Sequence, residues 1–137
     1  MKCKTLLIAE DNTDIRESIA YILEAEGYDV RSATNGKEAL ELLKLQDKPT
    51  LVLLDLMMPV MTGWEFLERT QADLDIPEHR VVILSAVARQ KTPEGFLPVE
   101  TAAQLTKPVD LNHLLRTVRT FCGSPDSSDD NSSVTAV

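Results

Sequence analysis

No hydrophobic run in this chain approaches the roughly 20 apolar residues that span a bilayer. The N-terminus, Met1-Lys2-Cys3-Lys4-Thr5, meets acidic residues too soon to read as a signal peptide. Both absences point away from the membrane and toward the cytoplasm. Cysteine is scarce, with only Cys3 and Cys122, and neither belongs to a CxxC pair. That spacing speaks against a metal or redox role, so two reduced thiols are expected. Positive charge is also in short supply: 14 Lys and Arg face 22 Asp and Glu, for a formal net charge of −8. The tail residues Asp126, Asp129 and Asp130 carry part of this, yet the remaining domain is acidic too. An acidic surface argues against nucleic acid as a direct partner and favours a cation. Aromatic residues make up 4%, with Trp64 the sole tryptophan, expected to pack on a helix.

What is present is a series of short apolar runs, each ending in a chemically useful side chain. Thr5–Ala9 leads into Glu10 and Asp11, Leu51–Leu54 into Asp55, and Val81–Leu84 into Ser85. Ala102–Leu105 leads through Thr106 to Lys107-Pro108, and the more polar Tyr28–Ala33 reads as an edge strand. Uninterrupted runs of this length, separated by helix-period stretches, predict buried parallel strands.

The intervening segments supply the helices. Asp11-Asn12-Thr13-Asp14 offers N-caps for a helix carrying Ile15, Ile19, Ile22 and Leu23, which Gly27 stops. Asn35-Gly36 opens a second helix, ended by Lys48-Pro49, and a third begins near Thr62. Asp110 or Asn112 caps a last helix with Leu111, Leu114, Leu115, Val118 and Phe121 on its inner side. Between the fourth and fifth strands, Pro93, Gly95 and Pro98 oppose a regular helix, so an irregular one is expected over Lys91–Pro98.

The 137 residues suit a single domain over 1–122, followed by a disordered Ser/Asp-rich tail over 123–137. The β-α alternation predicts an α/β fold with a doubly wound five-stranded parallel sheet, flavodoxin-like order 2-1-3-4-5, helices on both faces. In that order strands 1 and 3 are neighbours at the switch point, which brings Glu10, Asp11 and Asp55 together.

Three carboxylates that close repel one another and call for a cation, and an all-oxygen set suits Mg²⁺. Asp55, ending the central strand, is the best nucleophile for forming an aspartyl phosphate. Lys107 can offset charge on a transferred phosphoryl and Ser85 can donate a hydrogen bond to it. Each residue alone has a plainer reading, as a helix cap, a turn residue or a solvated charge. Their placement at strand ends in one topology is what outweighs it. His79 and His113 lie away from the acidic cluster in this topology and read as surface residues.

With these residues in view, the chain resembles a two-component response-regulator receiver domain of the stand-alone, chemotaxis type. The resemblance rests on Glu10-Asp11, on Asp55-Leu56-Met57-Met58-Pro59 with Gly63 beyond it, on Ser85-Ala86 and on Lys107-Pro108. It implies Asp55 as phosphoacceptor, and Asp11, Asp55 and the Met57 carbonyl as Mg²⁺ ligands, with Glu10 acting directly or through water. Ser85 and Lys107 would bind the phosphoryl group. It further implies a histidine kinase or histidine phosphotransfer protein as donor, a downstream protein as target, and a cis Lys107–Pro108 bond.

Gln104 stands where the family usually has an aromatic switch residue, and reads as an exposed polar residue on the last strand. In the family the positions two beyond Asp55 and two beyond Ser85 flank the approach of a hydrolytic water. Here they are Met57 and Val87, and their apolar side chains predict a long-lived phosphorylated state. Three other functions compete. A pseudo-receiver that takes no phosphate is opposed by the complete acidic set, Ser85 and Lys107, while Gln104 and the irregular fourth helix count for it. A dehalogenase-type phosphatase wants an Asp where Met57 stands. A flavodoxin wants a phosphate loop where Glu10 and Asp11 stand.

Overall fold

A computed structural model describes residues 2–73, 75–85 and 103–125, with the backbone alone for Ser85. The chain runs β1 (Thr5–Ala9), α1 (Thr13–Ala25), β2 (Asp29–Ala33), α2 (Gly36–Lys44) and β3 (Thr50–Asp55). It continues through α3 (Gly63–Ala72), β4 (His79–Ser85), β5 (Ala103–Thr106) and α4 (Leu111–Cys122). The strands form one sheet in the order β2-β1-β3-β4-β5, every pair parallel, as the alternation predicts. The irregular helix expected over Lys91–Pro98 lies outside the described residues, as do Val87 and the tail from Asp126 onward.

Side chains alternate across the pleat, so the apolar runs feed two separate cores. Leu7, Val52, Leu54 and Ile83 point to the face covered by α2 and α3, where they meet Leu40, Leu43, Phe66 and Leu67. Leu6, Ile8, Leu51, Leu53, Val82 and Leu84 point to the other face, against Ile19 and Leu23 of α1 and Leu114 and Val118 of α4. β1 and β3 are apolar on both sides because both sides are covered, whereas β2 is largely exposed, as an edge strand can be.

The helix starts follow the polar residues that precede them. Asn12 accepts the Ile15 N–H, Asn35 the Glu38 N–H, and Asp110 the N–H groups of Asn112 and His113. Thr62 and Glu65 form a reciprocal capping box at α3. Trp64 packs half-buried on the α2–α3 core, as expected.

The cysteines correct the sequence reading. Cys3 precedes β1 and Cys122 ends α4, and parallel topology brings both to the amino-end edge of the sheet. Their Cα atoms are 4.4 Å apart and their sulfurs are bonded, not two separate thiols. A separation of 119 residues conceals this proximity from local sequence patterns. Next to them the Tyr28 hydroxyl donates to the Gly123 carbonyl at 2.8 Å, so the fastened chain extends past residue 122.

Candidate functional site

The register sets the site. Ala9 pairs with Leu54 across the β1–β3 ladder, so the residues that follow them, Glu10 and Asp55, emerge side by side at the carboxyl-end edge. Glu10 and Asp55 are both buried, and Asp11 is exposed beside them. One carboxylate oxygen from each of the three lies within 4.8 Å of the others. From β5, Lys107 follows Thr106, which pairs with Ser85 at the end of β4.

Lys107 does more than the sequence reading gave it. Its ammonium donates to Glu10 Oε1 at 2.6 Å and to Asp55 Oδ2 at 3.2 Å. The remaining oxygens take backbone donors: Asn12 N–H to Glu10 Oε2 at 3.1 Å, and Met57 N–H to Asp55 Oδ1 at 3.1 Å. Arg16, one turn into α1, went unnoticed in the sequence. Its guanidinium donates to the Glu10 carbonyl at 2.9 Å and the Asp11 carbonyl at 3.4 Å, bracing the acidic loop from below. An arginine on the first turn of a helix that follows two acids was the available signal.

The electrostatics follow from this packing. Burial pushes the Glu10 carboxyl above its usual range, and the Asp55 charge adds to the rise, against hydrogen bonds from Lys107 and Asn12. Burial alone would lower Lys107, but its hydrogen bond to Glu10 and the Asp55 charge outweigh that, so it is held above the ordinary lysine value. With all three carboxylates ionised, the Lys107 ammonium and the nearby Arg16 guanidinium together still leave the cluster with an excess of negative charge. An all-oxygen, excess-negative donor set fits a hard divalent cation that retains water, as Mg²⁺ does.

Gly63 is required by close approach. A Cβ there would stand 2.6 Å from the Asp55 carbonyl oxygen and 2.7 Å from Leu56 Cα, contacts no side chain can make. Its N–H also donates to the Leu56 carbonyl at 3.0 Å, seating the start of α3 directly behind Asp55. Between them Val60 adopts φ 68°, a left-handed conformation that a β-branched residue rarely takes. In the same loop Met57 is 70% exposed while Met58 and Met61 are buried in the core. The Lys107–Pro108 peptide is cis, as the resemblance implies.

Neither histidine joins the acidic cluster. His79 begins β4 at the far end of the sheet, its Nδ1 2.8 Å from the Pro77 carbonyl, and His113 is exposed on α4. Gln104 is on β5 opposite Ile83 and is half-buried, more enclosed than an exposed strand residue.

Comparison with known proteins agrees with the geometry. A sequence model of the response regulator receiver domain matches residues 6–119. Response regulator RR06 of Streptococcus pneumoniae is 39% identical over 115 residues, 83% of this chain and 51% of the relative. An uncharacterised 14.6 kDa protein of Leptolyngbya boryana is 35% identical over 120 residues, 85% of this chain and 88% of the relative. The chain thus spans about half the length of the pneumococcal relative. Among solved structures, the receiver domain of a Pseudomonas aeruginosa sensor histidine kinase superposes with a TM-score of 0.74 at 25% identity. The match covers 89% of this chain and 99% of that one, which carries a magnesium ion coordinated in its active-site cleft.

Proposed function

Because the chain belongs to the response regulator receiver domain family, we propose that it accepts a phosphoryl group from a phosphohistidine donor onto Asp55 and signals by changing its binding to a downstream protein. The donor is a histidine kinase or histidine phosphotransfer protein, and the compartment is the cytoplasm. No helix among the described residues is long and apolar enough to cross a membrane. The observation that carries the reading is the Glu10, Asp11 and Asp55 cluster with the Lys107 ammonium already within hydrogen-bonding distance of Asp55.

In this reading an Asp55 carboxylate oxygen attacks phosphorus while the bond from phosphorus to the donor imidazole nitrogen breaks, and that electron pair stays on the nitrogen. The product is a mixed anhydride, an aspartyl phosphate. The Met57 N–H fixes Asp55 Oδ1, which limits rotation of the nucleophile. Lys107, shared between Glu10 and Asp55, is the cation that meets a phosphoryl oxygen. The Ser85 hydroxyl, at the end of the neighbouring strand, donates a hydrogen bond to another. Asp11, Asp55 and the Met57 carbonyl would hold Mg²⁺, with Glu10 acting directly or through water. Bound there, Mg²⁺ supplies the positive charge that lets carboxylates and an anionic phosphoryl approach one another.

The test is incubation with acetyl phosphate and Mg²⁺, read by intact mass. Wild type gains one phosphate, and chelation of Mg²⁺ or Asp55→Asn abolishes the gain. Equal labelling of the two proteins would remove Asp55 from its role. No labelling of either would leave the pseudo-receiver reading standing.

A further inference from the structure

At the amino-end edge, the disulfide is one of several ties between α4 and the rest of the fold. The Cys3 N–H donates to the Cys122 carbonyl at 3.2 Å, and the Tyr28 hydroxyl to Gly123 at 2.8 Å. Arg119 pairs with Glu26, and Pro125 packs over Gly27, where a Cβ would come within 3.3 Å of its ring. These contacts need no sulfur–sulfur bond. They hold the end of α4 in place when the bond is absent, so two thiols would remain face to face, at high effective concentration.

We infer that Cys3 and Cys122 are a reversible dithiol–disulfide couple, exchanging with low-molecular-weight disulfides. Its oxidation adds a covalent link between the already docked end of α4 and the start of β1 and leaves the acidic site unchanged. Both cysteines are buried, and Cys3, in the irregular segment before β1 where the chain can open locally, is the point of entry. Its thiolate attacks one sulfur of glutathione disulfide, forming a mixed disulfide and expelling one glutathione thiolate. The Cys122 thiolate then attacks the Cys3 sulfur and expels the second. The two protons lost by the cysteines are taken up by the two glutathiones, and the two electrons go with them. In a reducing compartment the couple stands open, and an oxidising shift closes it.

The separation of 119 residues makes this closure consequential, because cross-linking distant positions removes much freedom from the unfolded chain. The expected difference in melting temperature between oxidised and reduced protein is on the order of 10 °C. The site should not respond, since it lies beyond the far end of β1, about 17 Å from the cysteine edge for a strand of this length.

The experiment uses the full chain, poised with glutathione disulfide or with dithiothreitol, then alkylated after denaturation and weighed. Oxidised protein should carry no alkyl groups, reduced protein should carry both, and returning it to glutathione disulfide should restore the first state. Thermal unfolding should separate the two forms, while Cys3→Ala should melt alike in both buffers. Mg²⁺ titration, followed by Trp64 fluorescence, should superimpose for the two forms of wild type. The inference is overturned if both thiols stay alkylatable under glutathione disulfide, if reduction leaves the melting temperature unchanged, or if Mg²⁺ affinity follows the redox state.

Discussion

At the carboxyl-end edge of the sheet, one ammonium serves two buried carboxylates while a third stands exposed beside them. At the amino-end edge, a disulfide, a tyrosine hydroxyl and an arginine–glutamate pair join α4 to β1 and to the α1–β2 turn. The second edge is closed by a covalent bond and by paired polar groups. The first carries an excess of like charge in a low-dielectric setting, which the fold tolerates but does not neutralise. The contrast shows how one sheet provides both a cross-linked base and a rim whose three carboxylates offer a donor set for a cation.

The largest break in this contrast should come from Lys107→Ala. Removing the ammonium leaves Glu10 and Asp55 facing each other without a countercharge. The half-buried position of Lys107 keeps the cost at about 1–3 kcal/mol, below that of breaking a fully buried pair. Mg²⁺ should therefore raise the melting temperature of the variant more than that of wild type. Phosphate uptake should fall about 10²- to 10³-fold, as when a positioned charge donor is removed from a transition state. If Mg²⁺ stabilises variant and wild type equally, the charge imbalance is not what the site offers a cation.

Much of this edge was legible in the sequence. Uninterrupted apolar runs gave the strands because both faces of a parallel sheet are covered, and the same runs end at Glu10, Asp55 and Ser85. The caps at Asn35, Thr62 and Asp110 were legible because a helix start needs a local side-chain acceptor. The amino-end edge was not. Nothing near Cys3 in sequence announces Cys122, and the Tyr28–Gly123 bond spans 95 positions. Long-range closure depends on where helix ends land, which periodicity does not encode. For the same reason the Glu10–Lys107 contact was missed although both residues were singled out. The left-handed Val60 had no sequence signal at all, since turn chemistry would place Gly or Asn there.

A smaller and purely kinetic effect is expected from Met57. Hydrolysis of an aspartyl phosphate needs water in line behind phosphorus, and a thioether gives that water no useful hydrogen bond. Met57 is largely exposed, and its N–H bonds Asp55 Oδ1, so its side chain stands at the rim. Met57→Asn should shorten the phosphorylated half-life about 10- to 100-fold, corresponding to roughly 1–3 kcal/mol in the barrier. Mg²⁺ affinity should change little, because the substitution leaves the backbone in place. An unchanged half-life would mean that apolar shielding does not set the lifetime.

The smallest effect should arise at the closed edge, from Tyr28→Phe. The ring is buried and its hydroxyl donates to the Gly123 carbonyl, so the substitution removes one hydrogen bond and leaves the packing intact. The expected loss at neutral pH is about 1 kcal/mol, read by thermal or urea unfolding. The pH dependence gives the sharper reading. Burial raises the Tyr28 phenol above its ordinary value, with the Arg119 charge opposing and the Glu26 charge adding. A raised value means the folded state binds the proton more tightly than the unfolded chain. The contribution is therefore complete below the unfolded tyrosine pKa of about 10, and it is lost as pH rises through the folded value. Wild type should lose its advantage over Tyr28→Phe across that alkaline interval, with no divergence between them near neutrality. An advantage that persists at high pH would show that the phenol proton does not hold Gly123. The closed edge would then rest on the disulfide, the Cys3–Cys122 backbone hydrogen bond, the Arg119–Glu26 pair and the Pro125 contact.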